Sequence, residues 1–328
     1  MNSAGGMSNA DCVKVPHPGA HFAAFVICPM VHLRHAVRVP QSVTISVPAT
    51  SANLGPGYDC LGLALSLYNQ TTVTLLEGRP HIEPHHPMVE AIAALFFQQP
   101  DVEEAPFPFS WSIGGDVPQS RGLGSSVTVR LGILMGLNEL CGKPLDKERL
   151  FAICTEAEGH PDNVAPALFG GFAVASKDQR FRFPVDERLK AVVLIPEYEV
   201  QTAHARTALP ESVPHGDAAR NTAHACTLVA AFATGEYERM GAALEDFLHQ
   251  PYRRHLVPGL FEIVHAGVAA GAIGGYLSGS GSAVACLTTT GDPAAIASAM
   301  QQELAKTGAS GRTLVMSADN TGARPLQS

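Results

Sequence analysis

Several features that mark common classes of protein are missing from this sequence of 328 residues. Lysine and arginine form no dense run and the formal net charge is −8. We therefore expect no nucleic-acid interface, because such an interface needs clustered basic charge. The seven cysteines are odd in number and include no Cys-x-x-Cys pair. This pattern disfavours a disulfide scaffold and favours a reducing, cytoplasmic setting.

Long apolar runs are also missing. An apolar stretch at residues 16–33 is interrupted by proline and histidine, and it falls short of the ~20 apolar residues that a membrane helix needs. We expect no membrane association, and we expect residues 1–37 to form a flexible extension. The whole chain is 46% hydrophobic and 16% charged, which is typical of a globular protein that buries a core.

The stretch SRGLGSSVTV, which begins at Ser120, has the small residues of a phosphate-binding loop but lacks the Gly-Lys-[Ser/Thr] ending of a P-loop. Gly122 and Gly124 would let the backbone approach a bulky anion. Apolar spacing predicts a buried helix over Ser125–Leu140, whose first N–H groups and dipole favour a bound phosphate. A plain strand-to-helix turn with a serine N-cap would explain the same residues.

Glu158 is the residue that suggests a metal ion. It lies in the last turn of a predicted helix that Asp146 caps and Gly159 ends, where a carboxylate meets the negative end of the helix dipole. A carboxylate that opposes the helix dipole with no visible compensating interaction suggests a function. Mg²⁺ held by this carboxylate, the Ser126 hydroxyl and phosphate oxygens would supply that interaction. Glu156 is the neighbouring alternative, and a solvent-facing acid at a frayed helix end is the purely structural explanation.

Strands and helices alternate irregularly along the chain without a visible repeat, which favours an α+β protein over a doubly wound parallel sheet. We place a domain boundary near residue 184, which separates residues 38–184 from residues 185–328. Hydrophobic spacing predicts several helices, among them residues 88–97, 125–140, 220–234 and 236–249. Some side chains are expected to be structural or solvated, namely Trp111 in the core and His81, His85 and His86 in a solvated loop.

Four segments closely resemble, in order and spacing, the motifs of the GHMP kinase superfamily. They are PATSANLGPGYDCLGLAL, PQSRGLGSSV, EGHPDNVAPALFGGF and YLSGSGSAVACL. The first and third are similar to those of the homoserine kinase branch in particular. Two more segments, PEYEVQTAHARTALP and HQPYR, resemble substrate-binding segments of that branch. The resemblance covers the chain from about Arg38 to near its end.

The resemblance implies a two-domain α+β fold. Its N-terminal half would be of the ribosomal protein S5 domain 2 type and bind ATP, and its C-terminal half would be ferredoxin-like and contribute to the substrate pocket. The activity implied is the ATP- and Mg²⁺-dependent phosphorylation of the side-chain hydroxyl of L-homoserine to O-phospho-L-homoserine, a step of threonine biosynthesis. Homodimers are common in the family, so a homodimer is one assembly that the resemblance allows.

The resemblance also assigns roles to individual residues. The residues expected to contact the nucleotide are Pro118, Arg121, Gly122, Leu123, Gly124, Ser125 and Ser126. The residues expected to line the homoserine pocket are Asn53, Asp59, His160, Asp162, Thr202, Arg206 and Arg253. Mg²⁺ is expected on Ser126 and Glu158. The catalytic candidates are Glu158, Asp162 and Asn163, of which Asn163 would lie near the accepting hydroxyl, while for Asp162 substrate binding is favoured over base catalysis.

Two other functions stay open at this point. One is a GHMP kinase that acts on a mevalonate-type alcohol, although such a substrate has no ammonium group for Asp59 and Asp162 to bind. The other is a catalytically silent homologue that binds an amino acid or a nucleotide. The sequence also departs from the family pattern, with Val127-Thr128-Val129-Arg130 where alanines usually follow the loop and Tyr58 where phenylalanine is commoner.

Overall fold

The computed structural model describes residues 41–77, 84–177 and 179–326. The expected extension at residues 1–37 and His81 lie outside the described residues. Among the helices of the described ranges, none combines the length and the apolar character needed to cross a membrane.

A six-stranded antiparallel sheet is built on β1 (Ser42–Ala52) and β2 (Leu61–Leu75). The first residues of β2 pair with β4 (Phe172–Ala175), and its last residues pair with β3 (Phe109–Gly115). β5 (Arg180–Phe183) continues the sheet beside β4, and β10 (Arg324–Pro325) continues it beside β1. The end of the chain thus returns to the first sheet. The boundary near residue 184 stays a prediction.

Four helices accompany this sheet. α2 (Ser125–Leu140) and α4 (Val164–Phe169) contact its strands, whereas α1 (Pro87–Phe97) and α3 (Lys147–Glu158) pack on α2. The bounds of α2 and the ends of α3 confirm the sequence predictions. Asp146 Oδ1 accepts a hydrogen bond from the Arg149 amide at 2.8 Å, and Gly159 ends α3 with φ of 87°. At α1, exposed His86 is the N-cap, and partly buried His85 stacks on Phe109.

A second sheet has the strand order β7 (Gly274–Leu277), β8 (Val284–Thr288), β6 (Lys190–Pro196) and β9 (Gly311–Ser317). Every strand pairing in both sheets is antiparallel within the described residues. The prediction of an α+β protein is therefore confirmed. A parallel doubly wound sheet would instead need crossover helices between parallel neighbours.

The two sheets share part of their core. Along β6, Val192 and Leu194 face a cluster under α8 (Leu260–Ala269) and α9 (Pro293–Lys306). Val193 points the other way, into a cluster that also contains Leu61 and Leu63 of β2, as the period-two geometry of a strand requires. This shared packing holds the loops of both sheets around one cleft.

The helix predicted over residues 236–249 is wrong. A long helix, α6 (His215–Thr234), is followed by a 3-10 helix over Tyr237–Leu244 and then by the short α7 (Gln250–Arg253). Asp246 explains the break, because its carboxylate accepts hydrogen bonds from the amides of Leu248, His249 and Gln250 at 2.8, 3.0 and 2.6 Å. An aspartate that caps a new turn in this way stops the preceding helix.

Candidate active site

A cleft of about 680 Å³ is lined by residues from the end of β1, the first turns of α2, the end of α3 and the turn between β7 and β8. Most of the residues predicted from the sequence line it, namely Asn53, Asp59, Arg121, Gly122, Leu123, Gly124, Ser125, Ser126, Glu158, His160, Asp162, Asn163, Thr202, Arg206 and Arg253. Two do not line it. Pro118 lies between Val117 and Gln119, which do line the cleft, and Glu156 is exposed on α3. Of the two acids at the end of α3, Glu158 is therefore the one that faces the cleft.

The glycine loop is held against both sheets. Gly122 and Gly124 have φ of 73° and 68°, a left-handed conformation that glycine adopts without strain. A Cβ on Gly122 would lie 2.1 Å from the Ser278 carbonyl oxygen, and one on Gly124 would lie 2.1 Å from Thr50 Oγ1. Leu123 is buried and anchors the loop. The close approach of the loop to its neighbours requires glycine at both positions.

The N-terminus of α2 opens into the cleft without a local acceptor for its amides. Gly124 is the N-cap and makes no side-chain capping bond, and the first turn carries no acidic residue. The first N–H groups of a helix lack intrahelical partners and carry the positive end of the dipole. This helix end can therefore accept an anion such as a phosphate.

The guanidinium of Arg121 is engaged elsewhere. Its Nε donates to the Pro196 carbonyl at 2.9 Å, further donors reach the carbonyls of Gln119 and Glu197, and Glu199 forms an ion pair at 3.2 Å. The side chain ties the loop to the end of β6. Any contact of Arg121 with a nucleotide would thus come from its backbone or need these bonds to open.

Both carboxylate oxygens of Glu158 accept hydrogen bonds from side chains of α2. The Ser126 hydroxyl donates to Oε1 of Glu158, and the guanidinium of Arg130 donates to Oε2. The structure thus brings together the two predicted metal ligands, and it adds Arg130, which the sequence analysis left without a role. A carboxylate and a hydroxyl supply oxygen ligands of the kind that Mg²⁺ prefers. These residues therefore fit the Mg²⁺ ion that the resemblance implies.

A second charged cluster lies at the other end of the cleft. Arg206, in α5 (Thr202–Thr207), donates to both carboxylate oxygens of Asp59, at 2.8 and 3.0 Å, and to the Tyr58 hydroxyl at 2.9 Å. Burial raises the pKa of Tyr58, and the charge of Asp59 raises it further. Asn53 supports this cluster, since its side-chain oxygen accepts from the Asp59 amide at 3.0 Å.

The segment after α3 supplies a polar group between the two clusters. The buried carboxylate oxygen Asp162 Oδ1 contacts His160 Nδ1 at 2.7 Å and accepts from the Asn163 amide at 2.9 Å. Burial tends to lower the pKa of His160, but the hydrogen bond and charge of Asp162 outweigh it, so the pKa is raised. Carboxylate and imidazole atoms of Asp59, His160 and Asp162 all lie within 4.8 Å of one another.

Asn163 connects this polar group to the glycine loop. Its Oδ1 accepts a hydrogen bond from Thr50 Oγ1 at 2.7 Å, and a Cβ on Gly124 would lie 3.1 Å from the same oxygen. The side-chain amide of Asn163 is thus beside the N-terminus of α2. It lies where the predicted phosphate site and the predicted substrate pocket meet.

Arg253 forms the buried floor of the pocket, and only 2% of it is exposed. Its Nε donates to the Ala205 carbonyl at 3.0 Å, and Nη1 donates to His249 Nδ1 at 3.3 Å. The guanidinium lies 5.2 Å from the centre of the Tyr58 ring. Thr202, at the start of α5, contacts Ser280 Oγ at 3.2 Å and closes this side of the cleft.

Some residues of the cleft were missed or misplaced by the sequence analysis. Trp111, expected in the core, packs against the core but is only partly buried, and it also lines the cleft with Met88 and Ile113. The alternation of β3 carried this signal, because Trp111 and Ile113 share one face of the strand. His249 does not line the cleft, but it is fully buried against Arg253, which does, and its contact with Arg253 was also missed.

Comparison with known proteins places the chain in a family. The model of the GHMP kinases N terminal domain matches residues 88–171, and that of the GHMP kinases C terminal domain matches residues 228–306. The curated homoserine kinase of Microchaete diplosiphon is 39% identical over 305 residues, which cover 88% of this chain and 98% of that protein. The homoserine kinase of Carboxydothermus hydrogenoformans is also 39% identical, over 76% of this chain and 86% of that protein.

Solved structures agree with this relationship. A crystal structure of homoserine kinase from Cytophaga hutchinsonii matches 90% of this chain and all of that chain, with a TM-score of 0.80 at 25% identity. A crystal structure of mevalonate kinase covers 85% of this chain and 99% of that chain, with a TM-score of 0.64 at 15% identity, which shows a shared fold alone. The expected two-domain GHMP kinase fold is confirmed. This chain is an enzyme of the GHMP kinase superfamily and belongs to its homoserine kinase family.

Proposed function

We propose that this protein transfers the γ-phosphoryl group of ATP to the side-chain hydroxyl of L-homoserine and forms O-phospho-L-homoserine for threonine biosynthesis. The observation that carries the proposal is the order of groups along one cleft. A helix N-terminus with a metal-type ligand pair lies at one end, Asn163 lies beside it, and a cluster of arginines and aspartates lies beyond. The homoserine kinases related to this chain support the same substrate.

The triphosphate would lie over the N-terminus of α2. Backbone amides of Gly122 to Ser126 would bind its oxygens, since the loop carries no lysine to do so. Ser126 and Glu158 would hold Mg²⁺, which, when bound, neutralises phosphate charge and orients the phosphates for transfer. The apolar wall formed by Met88, Trp111 and Ile113 offers a surface against which the adenine base can pack.

The charged cluster suits the two ends of a free amino acid. The guanidinium groups of Arg206 and Arg253 match a carboxylate, and the carboxylates of Asp59 and Asp162 match an ammonium group. In the structure Asp59 and Arg206 bind each other. A zwitterion would separate this pair and supply each partner with a replacement of opposite charge.

The accepting hydroxyl would then lie next to Asn163, between the cluster and the loop. Phosphoryl transfer depends chiefly on positioning and on stabilisation of phosphate charge. Asp162 Oδ1 is already engaged with His160 and with the Asn163 amide. We therefore assign Asp162 to positioning these residues and to substrate binding rather than to proton abstraction.

The experiment that tests this function measures ADP release from MgATP with L-homoserine, with mevalonate and without an acceptor. We expect release that depends on homoserine, with one O-phosphohomoserine formed per ADP as detected by ³¹P NMR. Release that depends on mevalonate would identify a different GHMP kinase. Binding of ATP without any acceptor-dependent release would identify a silent homologue. The homodimer and the cytoplasmic location stay predictions.

A further inference from the structure

Arg130 is an unexpected charge beside the predicted metal ligands. Its side chain is 19% exposed and pairs with Glu158, whose side chain is 9% exposed. The residue stands where the family resemblance leads one to expect a small side chain after the glycine loop. The neighbouring departures are explained by packing, because Val127 and Thr128 are fully buried. Arg130 instead reaches the wall of the cleft.

The geometry of α2 brings Arg130 to the same carboxylate as Ser126. Residues four apart on a helix lie on one face, so Ser126 and Arg130 both point toward the end of α3. One oxygen of Glu158 accepts from the serine hydroxyl and the other from the guanidinium. Both oxygens that a metal ion could take are therefore engaged by this chain's own donors.

A divalent cation that binds Glu158 must displace or share one of these contacts. A guanidinium beside the site also repels a second cation, and solvent screens this repulsion weakly because both side chains are largely buried. A triphosphate changes the balance, since its oxygens provide further ligands and its negative charge attracts both cations. A free metal ion brings neither advantage.

We propose that Arg130 is a specificity-determining residue that keeps free divalent cations off Glu158 and lets the metal bind only together with a nucleoside triphosphate. The guanidinium acts as the resident counter-ion of Glu158 when no nucleotide is bound. On binding of the metal–nucleotide complex, Arg130 turns from the carboxylate toward the phosphates. The proposal rests on the proposed function, because it requires the triphosphate at the N-terminus of α2.

The test is a titration with Mn²⁺, which replaces Mg²⁺ at oxygen sites and whose free concentration is read by EPR. The wild-type protein is compared with Arg130→Met and Arg130→Lys, each with and without the non-hydrolysable ATP analogue that has an NH bridge between its β- and γ-phosphates. Without nucleotide, Arg130→Met should bind Mn²⁺ about tenfold more tightly than the wild type. Arg130→Lys keeps the charge and should stay near the wild type. With the analogue bound, Arg130→Met and the wild type should bind Mn²⁺ with similar affinity.

Arg180→Met is the matched control. Arg180 also pairs with a glutamate of α3, Glu148, but that pair does not line the cleft, so this variant should bind Mn²⁺ as the wild type does. Thermal melting establishes that each variant is folded, and Arg130→Gln replaces Arg130→Met if the latter does not fold.

The outcomes separate the two proposals. If Arg130→Met binds free Mn²⁺ no more tightly than the wild type, while the wild type binds Mn²⁺ with the analogue, Arg130 is a structural ion pair and the inference is wrong. If the wild type binds Mn²⁺ no better with the analogue than without it, the proposed nucleotide site fails, and the inference fails with it.

Discussion

Arg206 and Asp59 form a two-pronged ion pair in the wall of the cleft, with N–O distances of 2.8 and 3.0 Å. Asp59 comes from the loop between the first two strands, whereas Arg206 comes from α5 in the second half of the chain. About a third of each side chain is exposed, so the pair contributes little to stability. Its position is better explained by a ligand that carries both charges.

Arg206→Met should therefore weaken binding of homoserine. We expect the KM for homoserine to rise about 10- to 100-fold, because the variant loses charge-assisted hydrogen bonds worth roughly 1.5–3 kcal/mol. The KM for ATP should change less than about twofold in the same steady-state assay. Arg239→Met removes an exposed arginine paired with Glu236 and serves as the control. Equal losses for both substrates would contradict a role at the amino-acid end.

Asp162→Asn distinguishes substrate binding from base catalysis. If Asp162 positions His160 and Asn163 and binds the ammonium group, the KM for homoserine should rise while kcat stays within about threefold. A general base would behave in the opposite way, with kcat lower by about 10²-fold or more at an unchanged KM. Steady-state kinetics with varied homoserine at saturating MgATP measures both quantities.

Glu158→Gln should impair the use of Mg²⁺. The amide keeps the shape of the side chain but loses the charge that attracts the ion, so kcat/KM for MgATP should fall about a hundredfold. The Mg²⁺ concentration for half-maximal activity should rise. Glu156→Gln changes an exposed residue on the same helix that does not line the cleft and should leave both values within about twofold. An equal effect of the two variants would exclude Glu158 as the metal ligand.

Two glycine variants test the packing of the loop. Gly159→Ala places a Cβ in open space but forces alanine to adopt φ of 87°, which costs about 1 kcal/mol of folding free energy. Gly122→Ala has a similar φ, and its Cβ meets the backbone oxygen of Ser278 at 2.1 Å, so we expect a loss of about 3 kcal/mol. Urea denaturation measures both values. Similar losses of folding free energy in the two variants would show that the glycine loop does not pack tightly against the second sheet.

His249 makes the stability of the protein depend on pH. Burial lowers its pKa, and Arg253 lowers it further against the opposing charge of Asp246. Because the folded state binds the proton less readily, the full contribution of neutral His249 to the free energy of unfolding is present above the unfolded pKa of about 6.5. It is lost as the pH falls from there through the folded pKa, at up to about 1.4 kcal/mol per pH unit. The free energy of unfolding of His249→Gln should fall less steeply between pH 7 and pH 5.

Exposed His265 provides the control for this measurement. His265→Gln should keep the pH dependence of the wild type. If His249→Gln also kept it, the buried imidazole would not be the source of the effect.

Much of the fold followed from local patterns. α2 was predicted from its apolar spacing, and α3 was predicted because Asp146 and Gly159 mark its two ends. The helix expected over residues 236–249 failed because periodicity does not show where a side chain such as Asp246 captures the backbone. The return of β10 to the first sheet depends on long-range pairing, for which two residues carry no sequence signal.

The site was predictable to the extent that motifs list residues, but contacts between side chains were not. Arg121 was expected to contact the nucleotide, yet its guanidinium is bound to carbonyl groups at the end of β6. Arg130 had no role assigned from the sequence, yet it pairs with Glu158 between α2 and α3. Trp111 looked like a core residue, yet it shares with Ile113 the face of β3 that lines the cleft.

A crystal structure of the protein with Mg²⁺, the imido analogue of ATP and L-homoserine tests most directly whether one cleft holds both substrates as proposed. We predict the triphosphate over Gly122 to Ser126, the carboxylate of homoserine on Arg206 and Arg253, and its hydroxyl beside Asn163, facing the γ-phosphate. Phosphates bound away from the N-terminus of α2, or an amino acid whose carboxylate contacts neither arginine, would contradict this account.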